Sequence, residues 1–480
     1  YFDATSIIEE ETERNTNNSY DEENTLIPNE VQEEKNDNLR RSTRVNAGVT
    51  PKRYGFDDHV ANKCDVYEIK EPTSFNEVCI LPEKDFWVKA MQEELQAINE
   101  NDTWELVDLP IGRKTIGCKW VFKIKKNDQG NLTRYKARLV AKGFSQKFGE
   151  DYDEVFAPVV RSTTFRIMLS TASTRGYKVK HFDVKTAFLN GKIEEEIYMK
   201  QPEGFEKGDK VCKLKKGLYG LKQAARQWNK EVHRIFEENN YVQSSSDQCL
   251  YYKTDQENTN YVLIHVDDIL MASNSEAMMT ELQVNMNREF ELKDLGDVKI
   301  FLGIEIEKDE FGNFMINQEK YIDEVVIKSG LEDSKFSKYP LDPGYEKLVC
   351  TEKLGDNKEY QKLIGMLLYI STNTRPDISA SVSILSQKIK DPTKIDLNEV
   401  KRIIKYLKGT KNLKLRLSNK AGNLSLHGYS DANWAENKVN RKSNSGYICL
   451  VNGGTVNWAC RRQDCVSLSS TEAEYIALAE

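Results

Sequence analysis

The sequence lacks any apolar run long enough to span a membrane. Its longest stretches, such as Leu363 to Ile370, fall far short of the roughly 18–20 residues a bilayer demands. It also lacks paired cysteines. Nine are scattered through 480 residues without a C-x-x-C motif, and the nearest pair, Cys460 and Cys465, has no zinc-ligand partners at usable spacing. Free thiols in a reducing compartment are the expectation. No signal peptide is visible, and the chain opens on Tyr1 rather than Met, so a piece of a longer protein is expected. Strong net charge is missing too, but the total of −7 averages two opposites. Residues 1–40 hold 12 acidic and 3 basic side chains, which leaves the other 440 at +2. Within those, residues 111–147 carry 11 Lys or Arg against the single acid Asp128. A local field of that kind decides partner choice more than the overall balance does.

The content that remains is that of a globular protein. Hydrophobic residues make up 39% and charged residues 30%, enough for a sizeable core, and the length suggests about three domains. Residues 1–70, rich in Asn, Glu, Ser and Thr, read as a disordered acidic linker. The cluster Arg40-Arg41-Ser42-Thr43-Arg44 within it reads as an ordinary solvated charge run, with a targeting or nucleic-acid patch as the alternative. Order is expected from Ser74. Trp87, Met91, Leu95 and Ile98 share one helical face. Trp120–Lys125 and Tyr135–Ala141 alternate as strands around a Gly130-Asn131 turn, making a basic hairpin. A strand over Tyr177–Phe182 leads into Asp183, a helix spans Gln223 to Glu238, and Phe301–Glu307 pairs with Phe314–Ile316. Residues 318–407 are mainly helical. Leu424–His427, Gly446–Val451 and Thr455–Ala459 are short strands before a helix near Ser470, capped by Ser470 or Thr471.

Three groups of residues carry chemistry. The first is an acidic doublet, Asp267-Asp268, inside the apolar run Tyr261 to Met271. Two adjacent carboxylates among residues that favour burial are costly unless a cation neutralises them. The flanking residues read as two strands with the doublet at their turn. Asp183 lies 84 residues upstream at another strand end, close enough in topology for one sheet to gather all three. Magnesium suits such oxygen ligands, and two ions about 3.5–4 Å apart activate a hydroxyl and stabilise a pyrophosphate leaving group. A surface turn is the plain alternative, which the apolar flanks weaken. The second group is the basic hairpin, where Lys125, Lys126, Arg134, Lys136, Arg138 and Lys142 suit nucleic-acid phosphate or a triphosphate. Tyr135 and Phe144 suit base stacking or hairpin packing equally. The third is Asp431, after a strand, with Glu472 in the first turn of a helix. By spacing alone Glu472 is a capping residue.

Taken together, these groups sit in recognisable motifs. Arg134 to Phe144, Phe156-Ala157-Pro158-Val159, Asp183 to Gly191 and Leu218 to Gln223 are followed by Phe301-Leu302-Gly303-Ile304, Thr374-Arg375-Pro376-Asp377 and Ser469 to Tyr475. In order and spacing the chain resembles, over about residues 70–480, the reverse transcriptase region of copia-type (Pseudoviridae) retrotransposon Pol polyproteins, followed by the start of their ribonuclease H. The resemblance implies an α+β right-hand polymerase. Its divisions would be fingers and palm over 71–317, a mainly helical thumb or connection over 318–418, and a truncated ribonuclease H-like α/β domain over 419–480. It implies RNA-directed DNA polymerase activity with two Mg2+ ions, Mn2+ as substitute. Asp183 and Asp267 would be the main metal ligands, Asp268 a weaker or outer one, and the Val184 carbonyl a further contact. Lys126, Lys136 and Arg138 would meet the triphosphate. Phe188, five residues after Asp183, would exclude a ribose 2′-hydroxyl, or else serve as a core aromatic. Gly220 and Gln223 would line the nucleotide pocket, and Phe301, Leu302 and Gly303 would grip the primer. Asp431 and Glu472 would be the first two ribonuclease H carboxylates, their partners lying beyond residue 480. The implied partners are RNA template, primer, DNA product, dNTPs and other Pol segments, with no membrane, in a cytoplasmic virus-like particle with nuclear entry open. One further departure from the family pattern is His265, where Tyr is usual. His is smaller and titrates near neutral pH. It leaves a second reading open: a descendant that binds nucleic acid without copying it. A third is an interaction protein working through residues 1–70.

Overall fold

Antiparallel pairing around one acidic strand organises the centre of the molecule. In the computed structural model, which describes residues 70–126, 131–348, 352–418, 424–436 and 440–480, the largest sheet has six strands. Their order across it is Leu292–Asp297, Lys178–Val184, Asp268–Ser273, Asn258–His265, Leu250–Asp255 and Val242–Gln243. Strand periodicity explains its core. Phe182, Ile269 and Ile264 are direct cross-strand neighbours and all are buried. They share a core with helices Ser162–Arg175, Ala224–Glu238 and Glu276–Glu289 through Phe165, Leu169, Trp228, Phe236 and Leu282. The described residues from Pro72 onward belong to one compact unit. Residues 1–69 of the expected 1–70 linker, including the Arg40–Arg44 cluster, and Gly130 lie outside the described residues.

The basic hairpin forms as its alternation predicts. Cys118–Lys126 pairs antiparallel with Leu132–Ala141. Its apolar face packs on helix Lys84–Glu100, where Trp87 meets Phe122 at 5.3 Å and Tyr135 at 4.7 Å between ring centroids. Tyr135 also stacks on Phe86 at 5.2 Å, so of its two readings packing is the one realised here. Phe144 remains exposed. A third core holds helices Glu319–Lys328, Lys358–Asn373, Ser379–Ser386 and Lys394–Gly409. The last begins with a capping box in which Thr393 and Asp396 satisfy each other's backbone amides.

Three local expectations need correction. Phe301–Glu307 is not one strand. It breaks at Leu302-Gly303, both at positive φ (51° and 75°), so that Phe301 turns back to pair with Ile304. Asp431 lies inside strand Leu426–Asn433 rather than after a strand, because pairing with Asn444–Val451 extends past it. Helix Ser470–Ala479 is capped one residue earlier than expected, by Ser469, whose hydroxyl accepts from the Glu472 amide.

A single buried arginine ties distant segments together. Arg166, on helix Ser162–Arg175, donates to the carbonyl oxygens of Val456 (2.6 Å), Thr372 (2.9 Å) and Asn373 (3.0 Å). Its guanidinium also lies 4.2 Å from the Trp458 ring centroid. Strand Gly454–Arg462 and helix Lys358–Asn373 are thereby fastened to the helix that borders the central sheet. Among the described residues no helix is long and apolar enough to cross a membrane.

Candidate active site

The acidic residues meet through strand register. Asp268 opens its strand and pairs directly with Asp183, while His265 pairs with Asp268 from the other side. Directly opposed residues on neighbouring strands point to the same face, so His265, Asp268 and Asp183 form one row. Lys293 extends that row on the fourth strand. Asp267 sits in the two-residue turn with Val266. Val266 has φ of 58°, a costly conformation for a β-branched residue. Two hydrogen bonds hold the turn. Trp228 Nε1 donates to the Val266 carbonyl at 2.6 Å, and the Val184 amide donates to the Asp267 carbonyl at 2.8 Å.

Charge follows the geometry. The Asp183 carboxyl is pushed above its ordinary range, first by burial and then by the charges of Asp267 and Asp268, with Lys136 and Lys293 opposing. Lys136 on the hairpin is lowered by burial and by Arg138 and Lys125, with Glu94 opposing. The hairpin thus brings cationic charge over the acidic row. The three carboxylates are not a preformed cage. Among the described residues no group of three His, Cys, Asp or Glu side chains stands ready to hold a metal, and Asp268 Oδ1 lies 3.0 Å from His181 Nε2. This donor set still fits magnesium, which typically takes one or two carboxylates and completes its shell with water and substrate phosphate.

The remaining expected residues fall in varied places. Phe188 is half-buried on the short turn Ala187–Asn190, its ring edge-on to Tyr219 at 4.7 Å. Arg138 lies 5.2 Å from the Tyr219 ring. The side chain of Lys126 lies outside the described residues. Gly220 has φ of 90°, and a Cβ there would sit 2.1 Å from the Ala141 carbonyl oxygen, so only glycine lets this turn meet the end of the hairpin strand. Gln223 is fully buried. Its amide accepts from Gln146 Nε2 at 3.0 Å and donates to the Asp151 carbonyl at 2.8 Å, so it braces loop 143–152 instead of facing a pocket. The Phe301–Ile304 turn borders a cavity of about 410 Å³ together with His181 and Asp268. Phe301 packs on Phe165 (5.1 Å) and His181 (6.0 Å), and the Tyr369 hydroxyl donates to the Leu302 carbonyl. Asp431 lines a separate cavity of about 360 Å³ with Glu436 and Asn444. Glu472 does not line it, and its carboxylate instead accepts from the Leu468 amide at 2.6 Å, a capping contact.

Sequence reasoning missed His181, Trp228 and Tyr219 as parts of this site. His181 carries a readable signal, since two residues before Asp183 is the same face of a strand.

The chain is similar to known proteins over most of its length. The family model described as reverse transcriptase (RNA-dependent DNA polymerase) matches residues 101–343. The retrovirus-related Pol polyprotein from transposon TNT 1-94 of Nicotiana tabacum is 41% identical over 92% of this chain and 34% of that protein. The corresponding polyprotein from transposon RE1 of Arabidopsis thaliana is 40% identical over 82% of this chain and 27% of that protein. The putative transposon Ty5-1 protein of Saccharomyces cerevisiae is 32% identical over 62% of this chain and 98% of that protein. The chain belongs to the reverse transcriptase family, and its α+β architecture is that of a polymerase. Within that family it is of the copia retrotransposon type, and it spans 34% and 27% of the length of the two plant Pol polyproteins.

Proposed function

We propose that this chain is an RNA-directed DNA polymerase that adds deoxynucleotides to a primer 3′-hydroxyl by a two-metal mechanism. The observation that carries this reading is the direct pairing of Asp183 with Asp268, with Asp267 at the adjoining turn and a raised Asp183 carboxyl. Asp183 and Asp267 would hold the metal, and Asp268 would serve as an outer ligand. Magnesium, or manganese, would supply the Lewis acid for the attacking hydroxyl and charge for the leaving pyrophosphate. Lys136 and Arg138 would neutralise and orient the triphosphate. Phe188 would press against the sugar where a 2′-hydroxyl would project. The Phe301–Gly303 turn, beside the same cavity as Asp268, would seat the primer end. RNA template, primer, DNA product and dNTPs are the partners this assigns, with other Pol segments. The copying block would comprise fingers and palm over 71–317 and a helical thumb over 318–418. The 419–480 segment would be ribonuclease H-like, with Asp431 and Glu472 as its acids. A cytoplasmic particle is the proposed setting.

Primer extension on a primed RNA template tests the reading. Asp267→Asn should abolish extension, and equal extension by wild type and variant would overturn it. One observation favours a second reading, a chain that binds nucleic acid without copying it. His265 Nδ1 is buried without a hydrogen-bond partner beside the doublet, an unsatisfied group where the family carries Tyr.

A further inference from the structure

We propose that Tyr219 is a specificity-determining residue for the nucleotide sugar, acting by buttressing the Phe188 ring. This rests on the reading of Phe188 as the wall against a 2′-hydroxyl. Discrimination between deoxyribose and ribose turns on one oxygen atom. A wall performs it only if it cannot shift by about an atomic radius, so whatever stands behind Phe188 sets the selectivity.

Tyr219 meets Phe188 edge-to-face, with ring centroids 4.7 Å apart and planes at 67°, the favoured geometry for an aromatic pair. Both rings stand on fixed backbone. Ala187 and Leu189 are buried on either side of Phe188. The Tyr219 carbonyl accepts from the Ala141 amide at 2.7 Å, and Gly217 donates to the Gly191 carbonyl at 2.8 Å. Gly217 approaches so closely that a Cβ there would lie 2.6 Å from the Phe188 carbonyl oxygen. The two segments are therefore joined beneath the rings as well as through them. Arg138 bears on the Tyr219 ring from the basic hairpin at 5.2 Å. Burial raises the Tyr219 hydroxyl, with Asp267, Glu94 and Asp183 adding to the rise and Arg138 opposing it. Tyr219 thus stands between the sugar wall and the hairpin cation.

The test uses the full chain on a primed RNA template whose primer lacks a 3′-hydroxyl, so that binding is read without turnover. Affinities for dUTP and UTP, which differ only at the 2′-hydroxyl, are measured in the resulting ternary complex. Tyr219→Leu is expected to lower the dUTP-over-UTP preference about threefold to tenfold, the worth of one aromatic pair. Tyr219→Phe, which keeps the ring, is expected to retain it. Should Tyr219→Leu fail to fold by circular dichroism, Tyr219→His, with a smaller ring, is expected to show a partial loss. A preference unchanged in Tyr219→Leu, or in Tyr219→His where that replaces it, overturns the proposal, even if overall affinity falls. Equal losses in Tyr219→Phe and Tyr219→Leu also overturn it. Phe188→Val separates the two readings. If it relaxes selectivity and Tyr219→Leu does not, only the buttress fails. If it changes nothing, or if wild type holds UTP as tightly as dUTP, the wall itself is wrong and the buttress falls with it.

Discussion

His181 Nε2 lies 3.0 Å from Asp268 Oδ1, across neighbouring strands and two residues upstream of Asp183. The second acid of the doublet is therefore held by protein, which leaves Asp183 and Asp267 as the freer pair. His181→Ala should remove this restraint and lower stability by about 1 kcal/mol, read as a shifted urea midpoint. Primer extension should fall with it, and His181→Gln, which keeps an N–H donor, should recover part of both.

Removing one acid should stabilise the metal-free fold. The Asp183 carboxyl is raised by burial and by the charges of Asp267 and Asp268, so the folded state binds its proton more tightly than the unfolded state does. Stability contributed by this group is present below the ordinary carboxylate range and is lost as pH rises through the raised value. At pH 7 Asp183→Asn should therefore raise the melting temperature by about 1–3 °C while abolishing extension. The gain should vanish as pH falls below the ordinary carboxylate range, because the raised carboxyl binds its proton before that range is reached. Scanning calorimetry across pH measures both.

Trp228 should matter more to the doublet than its distance along the chain implies. Its indole N–H holds the Val266 carbonyl at 2.6 Å while Val266 occupies φ of 58°. Trp228→Phe removes the bond and leaves the strain, which costs about 1–3 kcal/mol. The expected result is an extension rate roughly tenfold lower with secondary structure intact by circular dichroism. Val266→Gly, which relieves the strain, should restore stability in the double variant.

The orphaned Nδ1 of His265 gives a direct comparison. His265→Tyr should extend primers faster than wild type, with both active in the same assay. Extension by the Tyr variant alone would establish the reading in which this chain binds without copying.

The acidic row was legible because its chemistry is local. An Asp pair between apolar strands and an Asp at the end of another strand announce themselves through alternation, and the hairpin through 11 cations facing one acid over residues 111–147. What stayed hidden depends on register or tertiary contact. The burial of Gln223 comes from Gln146 and Asp151, more than 70 positions away. The break at Leu302-Gly303 was missed because Leu is an unusual first residue for a turn that needs positive φ at both positions, and Tyr369 supplies the anchor from another helix. Glu472 was correctly open to a capping role, which its bond to Leu468 realises.

The reach of Arg166 has a consequence for how such chains can be recombined. A chimera joined near residue 424, with a foreign C-terminal piece, would strip the Val456 carbonyl and the Trp458 ring from a guanidinium that is 3% exposed. That cation would have to find replacements or hydrate inside the protein, so exchange is tolerated only where the incoming strand offers an equivalent carbonyl and ring. The segment after the helical block is thus fastened to the helix that borders the central sheet, and a crossover placed between them breaks that bond in this chain.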